Sequence, residues 1–328
     1  MQPIYKITVD QENINSILAN RLISINITDE FGLVSDSMTM ELDNSDDIFE
    51  VPPRGVELEA FLGYDENNLY SMGKFIVDEI ELSSPPNKIT ITARASNSTI
   101  KEDMGAIKAP KSKSWEECTL STIVSTIAVD YGLTESIDIS FKDIFIQHID
   151  QTDESDLSFL ERLAKEYGVE VKIAGGKIIF LEPARGTLPD GTTIPTTYIS
   201  KADLNNYKMR ISERGLYNQV IAKYYDLDDA EEKKVEVGDE KPAFSMRDVY
   251  SNETTALMQA KAKLADIERG QYSLSAETIG NPLLSAESKI EITGICEELQ
   301  GAWILKQVSH SYSSSGYKTS FEATRPLT

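Results

Sequence analysis

The chain has 328 residues, of which 54 are Asp or Glu and 32 are Lys or Arg, for a formal net charge of −22. That length suffices for about two or three domains with ordinary cores, while the acid excess argues against specific nucleic-acid binding, which needs clustered Lys and Arg facing phosphates. No apolar run approaches the roughly 20 residues of a membrane helix, so membrane insertion is not expected. The two cysteines, Cys118 and Cys296, are too few and too far apart for a disulfide framework or a zinc motif.

Met1–Lys6 has no basic segment running into an apolar core, so no secretory leader is read and folding in the cytoplasm is expected. Residues 5–95 are strand-like almost throughout. Leu22–Thr28 and Met38–Leu42 alternate apolar and polar side chains, and turn-forming groups stand at Asp29–Gly32, Asp43–Asp47, Pro52–Gly55 and Pro85–Asn87. This predicts an all-β domain over 1–98. Lys108–Ser114, with Pro110 inside it, reads as a linker.

The segment 99–205 alternates helix and strand. Thr119 can cap a helix whose face is Leu120, Ile123, Val124, Ile127 and Tyr131 and which stops at Gly132; Cys118 is placed on a helix here. Ser155 can cap a second helix, Asp156–Tyr167, with Leu157, Leu160, Leu163, Ala164 and Tyr167 facing the core and Gly168 past its end. Val169–Ile173 and Lys177–Leu181 flank Ala174-Gly175-Gly176 as a hairpin. The last segment, 206–328, opens with a strand at Gln219–Tyr225, is broken by an acidic, lysine-rich stretch from Asp226 to Lys241, and then carries a helix near 253–269. That helix has its Glu early and its Lys and Arg late, as the helix dipole favours.

Two stretches read as one piece of β-structure written twice. In the first, Val56–Leu62, Gly73–Ile80 and Ile89–Ala95 form successive strands; in the second, Ile290–Thr293, Gly301–Val308 and Tyr317–Ala323 do. In each, a glycine opens the middle strand, an aromatic (Phe75 or Trp303) follows two positions later, and a Thr-bearing strand returns. Phe75 and Trp303 are therefore expected at equivalent positions. The fold class is mainly β with an α+β middle: two antiparallel β-barrels plus a central helix-and-hairpin domain.

Catalytic groups are sparse. The two histidines, His148 and His310, lie in strand-like context, where structural hydrogen bonding is the ordinary role. His148, Asp150 and Ser155 can be drawn as a triad, but no nucleophile elbow accompanies them. Ala174–Ile178 lacks the upstream glycine and the Ser or Thr of a phosphate loop, and Asp43–Asp47 and Asp226–Ala230 lack the glycine and closing glutamate of a calcium loop. No catalytic residue, cofactor or metal ligand is assigned, and the chain is not expected to be an enzyme.

The segment His148-Ile149-Asp150-Gln151-Thr152-Asp153-Glu154-Ser155-Asp156, followed by Phe159–Ala164 and Gly176–Leu181, resembles the late control protein D family, the baseplate hub proteins of contractile-tailed phages. The resemblance continues through Val51–Gly55, Gly73–Glu79, Thr90–Ala95, Arg214–Tyr217 and Val308–His310. It implies a homotrimeric ring with two tube-protein-like barrels per chain, joining a sixfold tail tube to a threefold central spike in a phage tail or tailocin. Implied partners are a separate trimeric spike protein, the tail tube protein, and other baseplate or tape-measure proteins. His148, Asp150, Gln151, Glu154, Ser155 and Asp156 carry the family motif in a structural role. Unlike relatives with a basic insertion before the C-terminal helix, this chain is short and largely acidic over Asp226–Asp248, and with its last residue at Thr328 a separate rather than a fused spike is expected. Two rival readings are a tail-associated cell-wall hydrolase using paired carboxylates and a type VI-like hub that binds effectors.

Overall fold

The computed structural model describes residues 2–32, 36–47, 53, 55–95, 104–174, 176–181, 195–212, 217–227, 229–239 and 241–326. Val51, Pro52, Arg54, Gly175 and Arg214–Leu216, which the sequence analysis singled out, lie outside them. The chain begins with β1 (Ile4–Val9), β2 (Glu12–Asn13), α1 (Asn15–Leu18), β3 (Leu22–Glu30), β4 (Ser37–Asp43), β5 (Glu57–Gly63), β6 (Tyr70–Ser83) and β7 (Lys88–Ala95). Next come α2 (Met104–Ile107), β8 (Pro110–Thr119), α3 (Leu120–Asp130), β9 (Thr134–Ile137), α4 (Ile139–Lys142), β10 (Phe145–Ser155), α5 (Asp156–Tyr167), β11 (Glu170–Ala174) and β12 (Lys177–Leu181). The last part holds β13 (Thr197–Ser200), β14 (Leu204–Ile211), β15 (Gln219–Asp226), β16 (Glu231–Gly238), β17 (Ala243–Tyr250), α6 (Glu253–Gln271), β18 (Tyr272–Ile279), β19 (Lys289–Thr293), β20 (Gly301–Ser313) and β21 (Gly316–Thr324).

The protein is mainly β, and its largest sheet runs β14-β18-β21-β20-β3-β4-β7-β6-β5-β1-β2, with β19 beside β20 and β13 beside β19. This order contains the same six-strand arrangement twice: β3-β4-β7-β6-β5-β1 in the first half matches β14-β18-β21-β20-β19-β13 in the second. Phe75 lies opposite Leu58 and Gly73 opposite Ala60; Trp303 lies opposite Ile290 and Gly301 opposite Ile292. Both aromatics are buried, and both glycines hold positive φ, +114° and +99°. A side chain at that φ is strained, so the glycine that opens each middle strand is there for backbone reasons; at Gly73 the register of β5 against β6 also shifts by a bulge. The matched positions keep one sequence offset from Gly73 and Gly301 to Ala95 and Ala323. The halves differ at the end, where β1 joins β5 antiparallel but β13 joins β19 parallel.

Two compact units result: Met1–Asn97 with Pro195–Lys208 and Leu274–Ala323, and Ser98–Ile194 with Met209–Ser273 and Thr324–Thr328. They differ from the consecutive segments 1–98, 99–205 and 206–328. Residues 195–205 go with the first unit because β13 is hydrogen-bonded to β19. Residues 209–273 go with the second, where α6 packs its Ala256 and Ala260 on Val220, Ala222, Tyr224 and Val235 of β15 and β16. Alternation places the core of the first half on one face of each strand: Ile25 and Ile27, Met38 and Met40, Ile89 and Ile91, Phe75 and Val77.

In the second unit, α3 is capped by Thr119, whose hydroxyl accepts from Thr122 N at 3.2 Å, and α5 by Ser155, whose hydroxyl accepts from Ser158 N at 3.1 Å. Gly168 ends α5 at φ +68°, and Val169 N donates to Ala164 O at 2.9 Å. Three readings from sequence need correction. Residues 110–114 are not a linker but the start of β8, which pairs antiparallel with β10 and also carries Cys118, placed above on a helix. The acidic stretch after Asp226 is not a break: β16 forms a hairpin with β15 from Asp226↔Glu231 to Gln219↔Gly238. Finally, α5 buries Phe159, with Leu160, Leu163, Ala164 and Tyr167, while Leu157 is only half-buried; Phe159 is drawn in by stacking on Trp115, with ring centroids 6.2 Å apart.

Leu160 is fully buried, so Leu160→Ala should cost about 2–5 kcal/mol in chemical denaturation. Glu161→Ala and Lys165→Ala, at exposed positions of the same helix, should each change stability by less than about 0.5 kcal/mol.

Candidate functional site

The motif of residues 148–156 builds the junction where β10 turns into α5. The register of β10 against β8 shifts between Gln151 and Glu154, and Asp153 takes a positive φ of 47° there. The bulge turns Gln151 inward, where its side-chain amide donates to Glu154 O at 2.9 Å and to Asp156 Oδ1 at 2.8 Å. Asp156, at the first position of α5, is buried and takes two more hydrogen bonds on Oδ2, from Lys111 Nζ at 2.6 Å and from the Tyr131 hydroxyl at 2.5 Å. One carboxylate thus ties together β8, α3, β10 and α5. Outside this knot, Arg162 donates to Glu154 Oε2 at 2.9 Å and to Asp150 O at 2.8 Å, clamping the bulge from the next turn of the helix.

Burial opposes the charge on Asp156, but the hydrogen bonds from Lys111, Tyr131 and Gln151 overcome it and hold the carboxyl below its ordinary range; the Asp156 contact, with that from Tyr131, raises Lys111 in turn. Lys111 and Tyr131 were not legible as members of this group. By sequence alone Lys111 falls in a linker-like stretch, and Tyr131 is one more apolar residue on the face of α3.

The remaining motif residues lie at the surface or cap the helix. His148 Nε2 is 3.3 Å from Asp150 Oδ2, and both are exposed. Ser114 Oγ donates to Asp150 Oδ1 at 2.6 Å and, with His148, lowers its pKa. Ser155 is occupied as a helix cap and lies 3.0 Å from Ser158 Oγ, so the three side chains drawn above as a triad do different structural work. β11 and β12 pair antiparallel as a hairpin, with Ala174 opposite Lys177. Among the described residues no group of three or more His, Cys, Asp or Glu is placed to hold a metal ion, and no helix is long and apolar enough to cross a membrane.

A second constellation joins the two repeats. β20 leaves β19 after Ile304 and from Gln307 to Ser313 pairs antiparallel with Glu30 to Ser24 of β3. Beneath this seam His310 is buried. Its Nε2–H donates to Leu284 O at 3.1 Å, which leaves Nδ1 to accept from the Tyr317 hydroxyl at 2.7 Å, with the Thr319 hydroxyl 3.2 Å away. Burial pulls its pKa down to about 4, against a partial rise from the Leu284 carbonyl. Asn281 N donates to Thr319 Oγ1 at 2.8 Å and the Tyr64 hydroxyl donates to Gly280 O at 2.8 Å, so the network reaches β21 and the first half. A methyl group on Gly280 would come within 2.1 Å of the Tyr317 ring.

Both knots give the protein an acid-side weakness, with the same sign but different windows. A folded His310 that resists protonation binds fewer protons than the unfolded chain, so stability present above about pH 6.5 should fall as pH drops toward about 4, by up to about 3 kcal/mol. His310→Gln should flatten that part of a denaturation-against-pH profile. Asp156 adds a loss only at lower pH, as it is protonated below the ordinary carboxylate range, and Asp156→Asn should remove this second phase while lowering stability at neutral pH.

Comparison with known proteins places this architecture. The phage tail baseplate hub (GPD) family matches residues 104–316, a span that includes the strand-to-helix knot and the β20 side of the seam. The chain is 28% identical to the probable baseplate hub protein of Escherichia phage 186 and 29% identical to that of Escherichia phage P2; the alignments cover 98% of this chain and 92% and 93% of the relatives. Its fold is similar to that of the 43 kDa tail protein of prophage MuSo2 from Shewanella oneidensis, with a TM-score of 0.70, 15% identity, and 99% and 98% of the two chains covered. The chain belongs to the phage tail baseplate hub family.

Proposed function

We infer that this chain works as the structural baseplate hub of a contractile phage tail or tailocin, as a homotrimeric ring that adapts a sixfold tail tube to a threefold central spike. The observation that carries this reading is the doubled strand order of the large sheet. Each chain holds two similar tube-protein-like units, so three chains present six, and a ring of true threefold symmetry offers a near-sixfold face. Its partners on this reading are the tail tube protein on one side, a separate trimeric spike protein on the other, and other baseplate or tape-measure proteins around them. The protein would be made in the host cytoplasm and built into the virion tail. It needs no catalytic residue and no cofactor for this, and the motif at residues 148–156 serves to hold the second unit's shape.

The non-core face of the sheet is the natural wall of a passage through such a ring. Its positions include Ser24, Asn26, Thr28, Thr39, Thr92 and Ser309, each set opposite another of these or of similar kind. Lys88 is 3.6 Å from Glu41, Lys318 is 3.2 Å from Glu277, and Arg94 is 2.9 Å from Asp78. A surface of hydroxyls and paired charges gives a passing polyanion little to hold.

Deletion of the gene from a producing strain should leave sheathed tails without a baseplate or spike, seen by negative-stain electron microscopy, and the purified protein should sediment as a trimer that binds tube and spike proteins in pull-down. Intact, spike-bearing particles from the deletion strain would overturn the hub reading.

A further inference from the structure

We propose that β14 of one copy adds to the open edge of β6 in a second copy, continuing the large sheet from chain to chain. The proposal rests on the reading that copies of this chain assemble into a ring, and it names the surfaces that close it.

Leu305 and Glu287–Ser288 are joined by Glu287 N→Leu305 O at 2.8 Å and Leu305 N→Ser288 O at 3.0 Å, and two residues later β20 passes to β3. In the first repeat the same pair of bonds recurs as Gly55 N→Val77 O at 2.9 Å and Val77 N→Val56 O at 3.0 Å. There the equivalence stops. Beyond Val77, no described strand pairs with that side of β6, although β6 runs on to Ser83. At the far end of the sheet, β14 stands where β3 stands in the other repeat, and among the described residues it pairs only with β18. One chain therefore carries both halves of a second seam, separated.

Exposure agrees. His310 of the internal seam is 3% exposed, whereas Leu82, its counterpart on β6, is 60% exposed. On β14, Tyr207 is 44% exposed and Ile211 52%. These are apolar edge positions that a neighbouring strand would cover, and a long uncovered edge of this kind is a template for strand addition.

The internal register, carried over, decides which side chains meet. At the seam, Ser309 faces Thr28 and Gln307 faces Glu30. Glu81 and Glu79 take the places of Ser309 and Gln307. The row Thr28–Ser37–Arg94 of the first half corresponds to Lys208–Ser275–Glu322 of the second, three residues that line one concavity. Lys208 thus takes the place of Thr28, and Arg210 that of Glu30. The second seam sets Glu81 against Lys208 and Glu79 against Arg210, with Leu82 against Tyr207 on the other face. Opposite charges directly across antiparallel strands stabilise the pairing and like charges oppose it. None of these four charged residues has an ion-pair partner among the described residues of its own chain.

Charge reversal tests this in the full-length protein. Glu79→Lys with Glu81→Lys, and separately Lys208→Glu with Arg210→Glu, should each lose assembly in light scattering, with masses falling to that of a single chain and an unchanged melting profile. The chain carrying all four substitutions should regain the assembled mass. Reversed variants that assemble like the wild type, or a fourfold variant that stays monomeric, would overturn the edge pairing and leave the ring reading standing. A wild-type chain that is monomeric at every concentration would overturn both.

Discussion

The seam between β20 and β3 is the constraint on which the rest of the large sheet depends. Seven residues of each strand pair across it, from Gln307↔Glu30 to Ser313↔Ser24, and without it the two repeats would be separate sheets with four exposed edges rather than one continuous surface. Its core side is sealed by a buried histidine whose two nitrogens are both committed, and its outer side by Thr28 Oγ1 and Ser309 Oγ at 3.2 Å. Burying His310 neutral costs stability under acid but gives Leu284 O and the Tyr317 hydroxyl a polar partner that an apolar side chain could not supply. A backbone ladder alone would tolerate a register slip; this set of directed hydrogen bonds does not.

The second unit solves a different problem with similar means. A two-stranded ribbon, β8 with β10, has too little surface to be stable by itself, and here its end is anchored through Asp156 to two helices. Because one carboxylate accepts from Lys111, Tyr131 and Gln151, removing any donor leaves a buried charge less compensated. The bulge at Gln151–Glu154 is what allows β10 to deliver both Gln151 to the interior and Ser155 to the cap of α5. Gln151, Ser155 and Asp156 are thus all engaged in holding the turn from β10 into α5.

How much of this was legible in the sequence follows from how local each interaction is. The caps at Thr119 and Ser155, the glycine stop at Gly168 and the hairpin at residues 170–181 involve neighbours in the chain, and local pattern found them. The repeat was visible because alternation and the two positive-φ glycines leave a spacing that survives divergence. What was missed depends on distant partners. β8 looks like a linker because most of its residues are exposed and only Trp115 is deeply buried, while the tie of Lys111 to Asp156 is made across the fold. β16 looked like a break because Val235 alone is buried among its charges. Phe159 displaced Leu157 from the core because Trp115, from another strand, stacks on it. The seam itself joins residues near opposite ends of the chain, and no local signal marks such a pairing.

A net charge of −22 opposes self-association in general, so copies of this chain can meet only where the local surface departs from the average. β14 is such a place, since Lys208 and Arg210 lie on a strand whose other exposed side chains are amides and apolar groups. In the proposed pairing Glu79 and Glu81 on β6 are its complement, and placing them there would give the edge a direction: acid edges repel acid edges and basic edges repel basic ones, so only head-to-tail contact is favourable. A heterologous contact of this kind closes into a ring when its rotation permits. In the proposed edge pairing the acid excess that opposes contact elsewhere thus favours this one contact, and Lys208 and Arg210 would be neutralised as the sheet becomes continuous from chain to chain.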